Sequence, residues 1–194
     1  MESALAYQGF IEKREDYELI NGEVYMMSRP SIKHMRIEGN IFGLFNHYLK
    51  GKRCRAFFEP NVKLGENDQF IPDVAIVCNP DIVDDIRING APDLVVEILS
   101  PSTAKNDRLK KFQKYEEYGV KEYWIVEPKN KLVEVYHLVD GKFLLDEVYH
   151  PYTELELECL TDAEKAETES QKMIKVSLYD DFIIDVADIF EDID

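Results

Sequence analysis

At 194 residues, with 45% apolar and 32% charged side chains, the chain has enough material for one domain with its own core. No apolar run approaches the roughly 20 residues of a membrane span, and the opening MESALAYQGFIEKRED lacks the basic-then-apolar pattern of a secretory signal. The net charge of −16 opposes phosphate binding, so approach to nucleic acid would need a local basic patch or a metal.

In chain order, residues 17–27 read as a hairpin, two β-prone stretches flanking Asn21-Gly22. Arg29-Pro30 stops the second strand and Ser31 is placed to cap a helix over Ile32 to Leu49. Its apolar residues Ile37, Ile41, Leu44, Phe45 and Tyr48 follow helical spacing, His34 and Glu38 fall one turn apart, and Gly51 would end it. Short strands are expected at 55–58, 61–64 and 71–78, and the β-branched run Asp93 to Leu99 has the length of a central strand. A helix over 106–118 follows, with Leu109, Phe112 and Tyr115 on one stripe and Gly119 at its end. Strands at 122–126, 132–138 and 142–149 make a meander. The acidic stretch 161–172 reads as an exposed loop or short surface helix, and 175–190 as a last strand followed by a short helix. This order predicts a mixed α/β sheet with a strand–helix–strand crossover near its centre. Cys54, Cys78 and Cys159 are scattered and outside any CxxC pair, which predicts reduced thiols, a cytoplasmic setting and no sulfur-based zinc site.

The sharpest anomaly is a carboxylate, Glu97, inside the apolar run LVVEILS. Burying an unpaired carboxylate costs several kcal/mol, so Glu97 should be paired, protonated or metal-bound. An ion pair with Lys111 or Arg108 and a metal site are equal alternatives at this level. Asp73, in a Pro-Asp pair on a neighbouring strand, and Glu97 together offer oxygen ligands for Mg²⁺ or Mn²⁺, with the main-chain carbonyl of Ile98 as a third. Lys111 would orient or deprotonate the attacking water, unless it merely sits on a solvated face with Asp107 one turn away. Pro92-Asp93 repeats the Pro-Asp pair, but Asp93 is too far along the strand from Glu97 to share a site. Tyr115, Tyr118, Tyr123 and Trp124 follow core periodicity.

The run GAPDLVVEILSPSTAKNDRLKKFQKYEEYGVKEYWIVEP, with YELINGEVYMMSRPSIKH, FIPDVAIV and VSLYDDFIIDVADIF, resembles the Uma-two family of restriction endonuclease-like proteins over nearly the whole chain. The resemblance implies a PD-(D/E)XK nuclease fold, a restriction endonuclease-like mixed β-sheet flanked by helices, with a divalent-metal site. It maps the family's aspartate to Asp73 and its strand carboxylate to Glu97. The lysine that the wider superfamily carries two residues after the glutamate is replaced here by Leu99, and the resemblance shifts that role to Lys111. His34 matches a histidine at the helix start. The superfamily's additional N-terminal glutamate corresponds to Glu38 or Glu18, and sequence does not choose between them.

Three functions follow as expectations. The first is a Mg²⁺-dependent endonuclease on DNA, working as a homodimer, with Asp73, Glu97, Lys111, His34 and Glu38 at its centre. The second is a metal- or partner-binding protein with little turnover. The third is a hydrolase of small phosphate esters. A basic rim from Arg36, Lys105, Arg108 and Lys110 would favour the first.

Overall fold

The computed structural model describes residues 17–101 and 103–193, so the stretch read for a signal lies outside it. Strands β1 (Tyr17–Ile20) and β2 (Glu23–Met26) form the expected hairpin. Asn21 and Gly22 take φ of 54° and 78°, the left-handed pair that lets a two-residue turn match the strand twist. Helix α1 spans Ile32–Leu49, and the Ser31 hydroxyl caps it by accepting from the His34 N–H at 3.1 Å. Ile37, Ile41, Phe45 and Leu49 bury its apolar stripe, with Glu38 buried among them.

Strands β3 (Arg55–Phe58), β4 (Val62–Lys63), β5 (Gln69–Phe70), β6 (Val74–Val77), β7 (Ile88–Asn89) and β8 (Leu94–Ile98) follow. The strand expected from residue 71 begins only at Val74, because Pro72 has no N–H to give to a ladder. Asp73 is thereby left at the mouth of β6. After β8 the expected helix forms in two windings: Asn106–Lys111 is π-helical, and α2 (Phe112–Tyr118) is regular, ending at Gly119 with φ of 84°. The wider π turn changes which side chains face the sheet. Asp107, Lys111 and Tyr115 turn inward, whereas Leu109, expected on the apolar stripe, is 53% exposed. Such turns are rare and are frequently found at functional sites.

Strands β9 (Glu122–Glu127), β10 (Leu132–Val139) and β11 (Lys142–Tyr149) complete the meander. The acidic region holds two short helices, α3 (Glu154–Glu158) and α4 (Asp162–Ser170), each opened by a Thr–Glu capping box. The closing strand is in fact a hairpin, β12 (Met173–Lys175) with β13 (Ile183–Asp185), before the one-turn helix α5 (Val186–Ile189).

The central sheet has the order β11-β10-β9-β8-β6-β3; β8 and β9 are parallel and its other pairs antiparallel. The parallel pair needs the long crossover that the π turn and α2 supply. A second sheet, β2-β1-β5-β4-β7, carries the N-terminal hairpin. Strand alternation divides β8: Leu94, Val96 and Ile98 join the core under α1, while Val95 joins the core built on Tyr115, Tyr123 and Phe143. Glu97 shares the parity of Val95.

The cysteine expectation is corrected. Cys54 and Cys78 form a disulfide, because the β3–β6 register, with Arg55 opposite Val77, sets them across from each other. Spacing alone cannot reveal a pairing made by strand register, and the compartment argued from free thiols loses its basis. Cys159 is free and exposed. Among the described residues, no helix is long and apolar enough to cross a membrane.

Candidate active site

The antiparallel register of β6 and β8 pairs Val74 with Val96; carried one residue further, it sets Asp73 across from Glu97. Two acidic groups meet there. In the outer one, Asp73 Oδ1 lies 2.8 Å from His34 Nε2, and Asp73 Oδ2 accepts the Ile98 main-chain N–H at 2.5 Å. The first turn of α1 supplies His34 and the second turn Glu38; ligand-capable atoms of His34, Glu38 and Asp73 lie within 4.8 Å of one another. Glu38 is 1% exposed, and its Oε1 is buried with no hydrogen-bond partner, as is His34 Nδ1. Burial, followed by the charges of Asp73 and Glu59, pushes the Glu38 carboxyl up to about 9.

The inner group is built around one cation. Lys111 Nζ lies 2.8 Å from Glu18 Oε1, 3.0 Å from Glu97 Oε1 and 3.3 Å from Asp107 Oδ1, all four side chains buried. Glu97 Oε1 also accepts from the Tyr115 hydroxyl at 2.7 Å, and Glu18 Oε1 from the Ile71 N–H at 3.0 Å. Burial raises Glu97 well above the usual carboxylate range; Lys111 pulls it back, and Asp107, Asp73 and Glu18 push it up further. Burial also raises Asp107. Burial opposes the charge on Lys111, but Glu97, Glu18 and Asp107 outweigh it and hold the ammonium well above the ordinary lysine value. Three buried carboxylates around one lysine, beside the outer group, leave an acidic excess of the kind a divalent cation neutralises. The donors present therefore fit a hard or borderline cation.

The five residues singled out by sequence thus fall in one region but in two arrangements. His34, Glu38 and Asp73 form the outer group; Glu97 and Lys111 belong to the inner one, linked through the Ile98 N–H. Ile98 reaches Asp73 by this amide. Glu18 and Glu38, left as alternatives, both line the region, one on each group. Tyr115, a core residue by periodicity, also donates to Glu97, and the one clue to this in the sequence is its place one helical turn beyond Lys111. Asp93 is structural, accepting the Cys78 N–H at 2.7 Å and pairing with Lys121 at 2.6 Å. Of the expected basic rim, Arg108 is spent in a two-pronged pair with Glu134 at 2.7 and 2.9 Å, and Lys110 contacts Tyr25 and Glu23. Arg36 and Lys105 are exposed. A cavity of about 650 Å³ beside Lys129, Lys131 and His150 contains none of the site carboxylates.

Comparison with known proteins agrees with this architecture. An uncharacterized protein, slr1290, of Synechocystis sp. is 29% identical over 151 residues, which is 76% of this chain and 80% of that protein. The crystal structure of a putative nuclease belonging to DUF820 from Anabaena variabilis superposes with a TM-score of 0.68. It is 21% identical, with 94% of this chain and 96% of that one covered. The fold is thus the restriction endonuclease-like mixed sheet flanked by helices. The Uma2 family, described as putative restriction endonuclease, matches residues 1–167, and the chain belongs to that family.

Proposed function

We propose that the protein is a divalent-metal-dependent endonuclease that hydrolyses DNA phosphodiester bonds. The observation that carries this reading is the junction at Ile98, where Asp73, with His34 and Glu38 around it, abuts Glu97 and Lys111. Asp73, Glu97 and the Ile98 carbonyl, with Glu38 and His34 beside them, would hold Mg²⁺ or Mn²⁺. When bound, the cation supplies positive charge that polarises a phosphoryl oxygen and acidifies water. Lys111, kept protonated by its three carboxylates, orients and neutralises rather than removes a proton. Tyr115 fixes the Glu97 carboxylate, and Glu18 fixes Lys111 from the opposite side. Cutting both strands of a duplex in one encounter calls for two active sites, so a homodimer acting on DNA is part of the proposal.

The test is plasmid nicking in Mg²⁺ and in Mn²⁺, with metal titration by calorimetry alongside. Asp73→Ala and Glu97→Ala should abolish cleavage with the circular dichroism spectrum unchanged, and Glu97→Gln should weaken metal binding. Parent-like cutting by both alanine variants would rule out the assignment. A second reading, a metal- or partner-binding protein with little turnover, is favoured by one observation: Arg108 and Lys110 are committed to Glu134 and Glu23 within a chain of net charge −16. Metal binding without cleavage of plasmid or linear DNA would select it.

A further inference from the structure

We infer that the outer group, His34, Glu38 and Asp73, selects a first-row transition-metal dication over Mg²⁺, with His34 supplying a nitrogen ligand. This rests on the metal-dependent reading above and adds the class of ion.

Mg²⁺ takes oxygen ligands in near-ideal octahedral geometry and gives up its waters reluctantly. An imidazole donor suits first-row transition ions, whose affinity for a mixed nitrogen–oxygen set rises from Mn²⁺ onward. The three side chains offer one imidazole and two carboxylates with ligand atoms within 4.8 Å of one another. Asp73 and His34 are placed by contacts that need no ion. Asp73 is anchored by the Ile98 N–H at 2.5 Å, which leaves its other oxygen toward His34 at 2.8 Å. His34 stands at the capped start of α1, where its own N–H binds Ser31. Two buried atoms in this group lack a hydrogen-bond partner, His34 Nδ1 and Glu38 Oε1, although most buried polar atoms in proteins have one. A cation taking His34 Nε2 and Asp73 Oδ1 side by side would give the buried Glu38 carboxylate the partner that its Oε1 lacks.

Glu97 Oε1 already holds Lys111 and Tyr115, so the imidazole donor that distinguishes the ions comes from the outer group. The other histidines with acidic neighbours do not assemble three such donors among the described residues. His137 stands 3.8 Å from Glu122 and 4.0 Å from Asp146, and His150 is 3.5 Å from Glu156.

The experiment uses the full chain without DNA, and Mn²⁺ as the probe. Mn²⁺ is the weakest binder of the transition series, so a preference for it sets a floor. Calorimetric titration of the wild type should show Mn²⁺ binding at least tenfold tighter than Mg²⁺. Pulsed electron paramagnetic resonance of the Mn²⁺ form should show nitrogen modulation from one imidazole. His34→Gln should remove that modulation and weaken Mn²⁺ at least tenfold while shifting Mg²⁺ by less than threefold. Equal affinities in the wild type, no nitrogen modulation there, or modulation that survives His34→Gln would each overturn the inference. If the variant does not fold, the wild-type spectrum decides alone. Nitrogen-coupled Mn²⁺ with no DNA cleavage would sink the nuclease reading and leave this one standing. Cleavage in Mg²⁺ with no nitrogen coupling would do the reverse.

Discussion

Replacing Lys111 with methionine keeps the length of the side chain and removes the one cation that faces Glu18, Glu97 and Asp107 at 2.8, 3.0 and 3.3 Å. Removing one partner from a buried ion pair costs about 3–5 kcal/mol, because the charge left behind has neither water nor a counter-ion. Three carboxylates share this lysine, but their penalties do not add: Glu97 and Asp107 are already pushed upward and take up protons when the ammonium goes. The expected loss at pH 7.5 is therefore also about 3–5 kcal/mol, a large part of the roughly 5–15 kcal/mol that holds a domain folded. At about 2–4 °C per kcal/mol for a chain of this size, the melting temperature should fall by roughly 6–20 °C. The sign of the pH dependence follows from the carboxylates. A carboxyl raised in the folded state contributes stability that is present below its unfolded pKa and lost as pH rises through its folded value. The penalty should be largest at neutral and alkaline pH and shrink toward pH 4.5. Urea unfolding followed by fluorescence measures it directly, since Trp124 is the single tryptophan and is fully buried in the central sheet. Lys33→Met, at an exposed position on α1, serves as the control and should stay within about 0.5 kcal/mol of wild type. A Lys111→Met protein as stable as wild type at pH 7.5, or equally destabilised at pH 5, would refute the cluster energetics.

Glu38, raised to about 9, contributes stability present below about pH 4.5 and lost as pH climbs toward 9. In EDTA, wild type should therefore melt progressively lower than Glu38→Gln between pH 6 and 9; parallel curves would show that Glu38 ionises freely. Tyr115→Phe deletes the hydroxyl that donates to Glu97 at 2.7 Å, and should cost about 1–3 kcal/mol in urea, as for a hydrogen bond to a buried charged group. Reducing the Cys54–Cys78 disulfide opens a link across 24 positions of chain and should lower stability by about 3 kcal/mol; the same loss in a Cys54→Ser/Cys78→Ser protein would exclude an effect of the reductant itself.

Local features carried their own signals in the sequence. Asn21-Gly22 specified a turn because few other dipeptides accept two positive φ values, and it formed. Ser31 followed by helically spaced Ile37, Ile41 and Phe45 specified α1 and its cap, since both depend on neighbours within a few residues. The run Leu94–Ile98 announced a buried strand, and its one carboxylate announced that something had to compensate it. What compensates it was not legible. Lys111 and Arg108 were equal candidates until the π-helical turn swung Lys111 inward and left Arg108 to reach Glu134. The same non-local geometry closed the Cys54–Cys78 disulfide through the β3–β6 register and brought His34 onto Asp73, 39 residues away. It also set both Glu18 and Glu38 beside these carboxylates, one from a hairpin and one from a helix. Propensity and periodicity act over a turn or a strand, so the sequence determined the elements and where a charge was buried. Which charges meet depends on strand order, register and helix winding, and those exist only once the chain has packed.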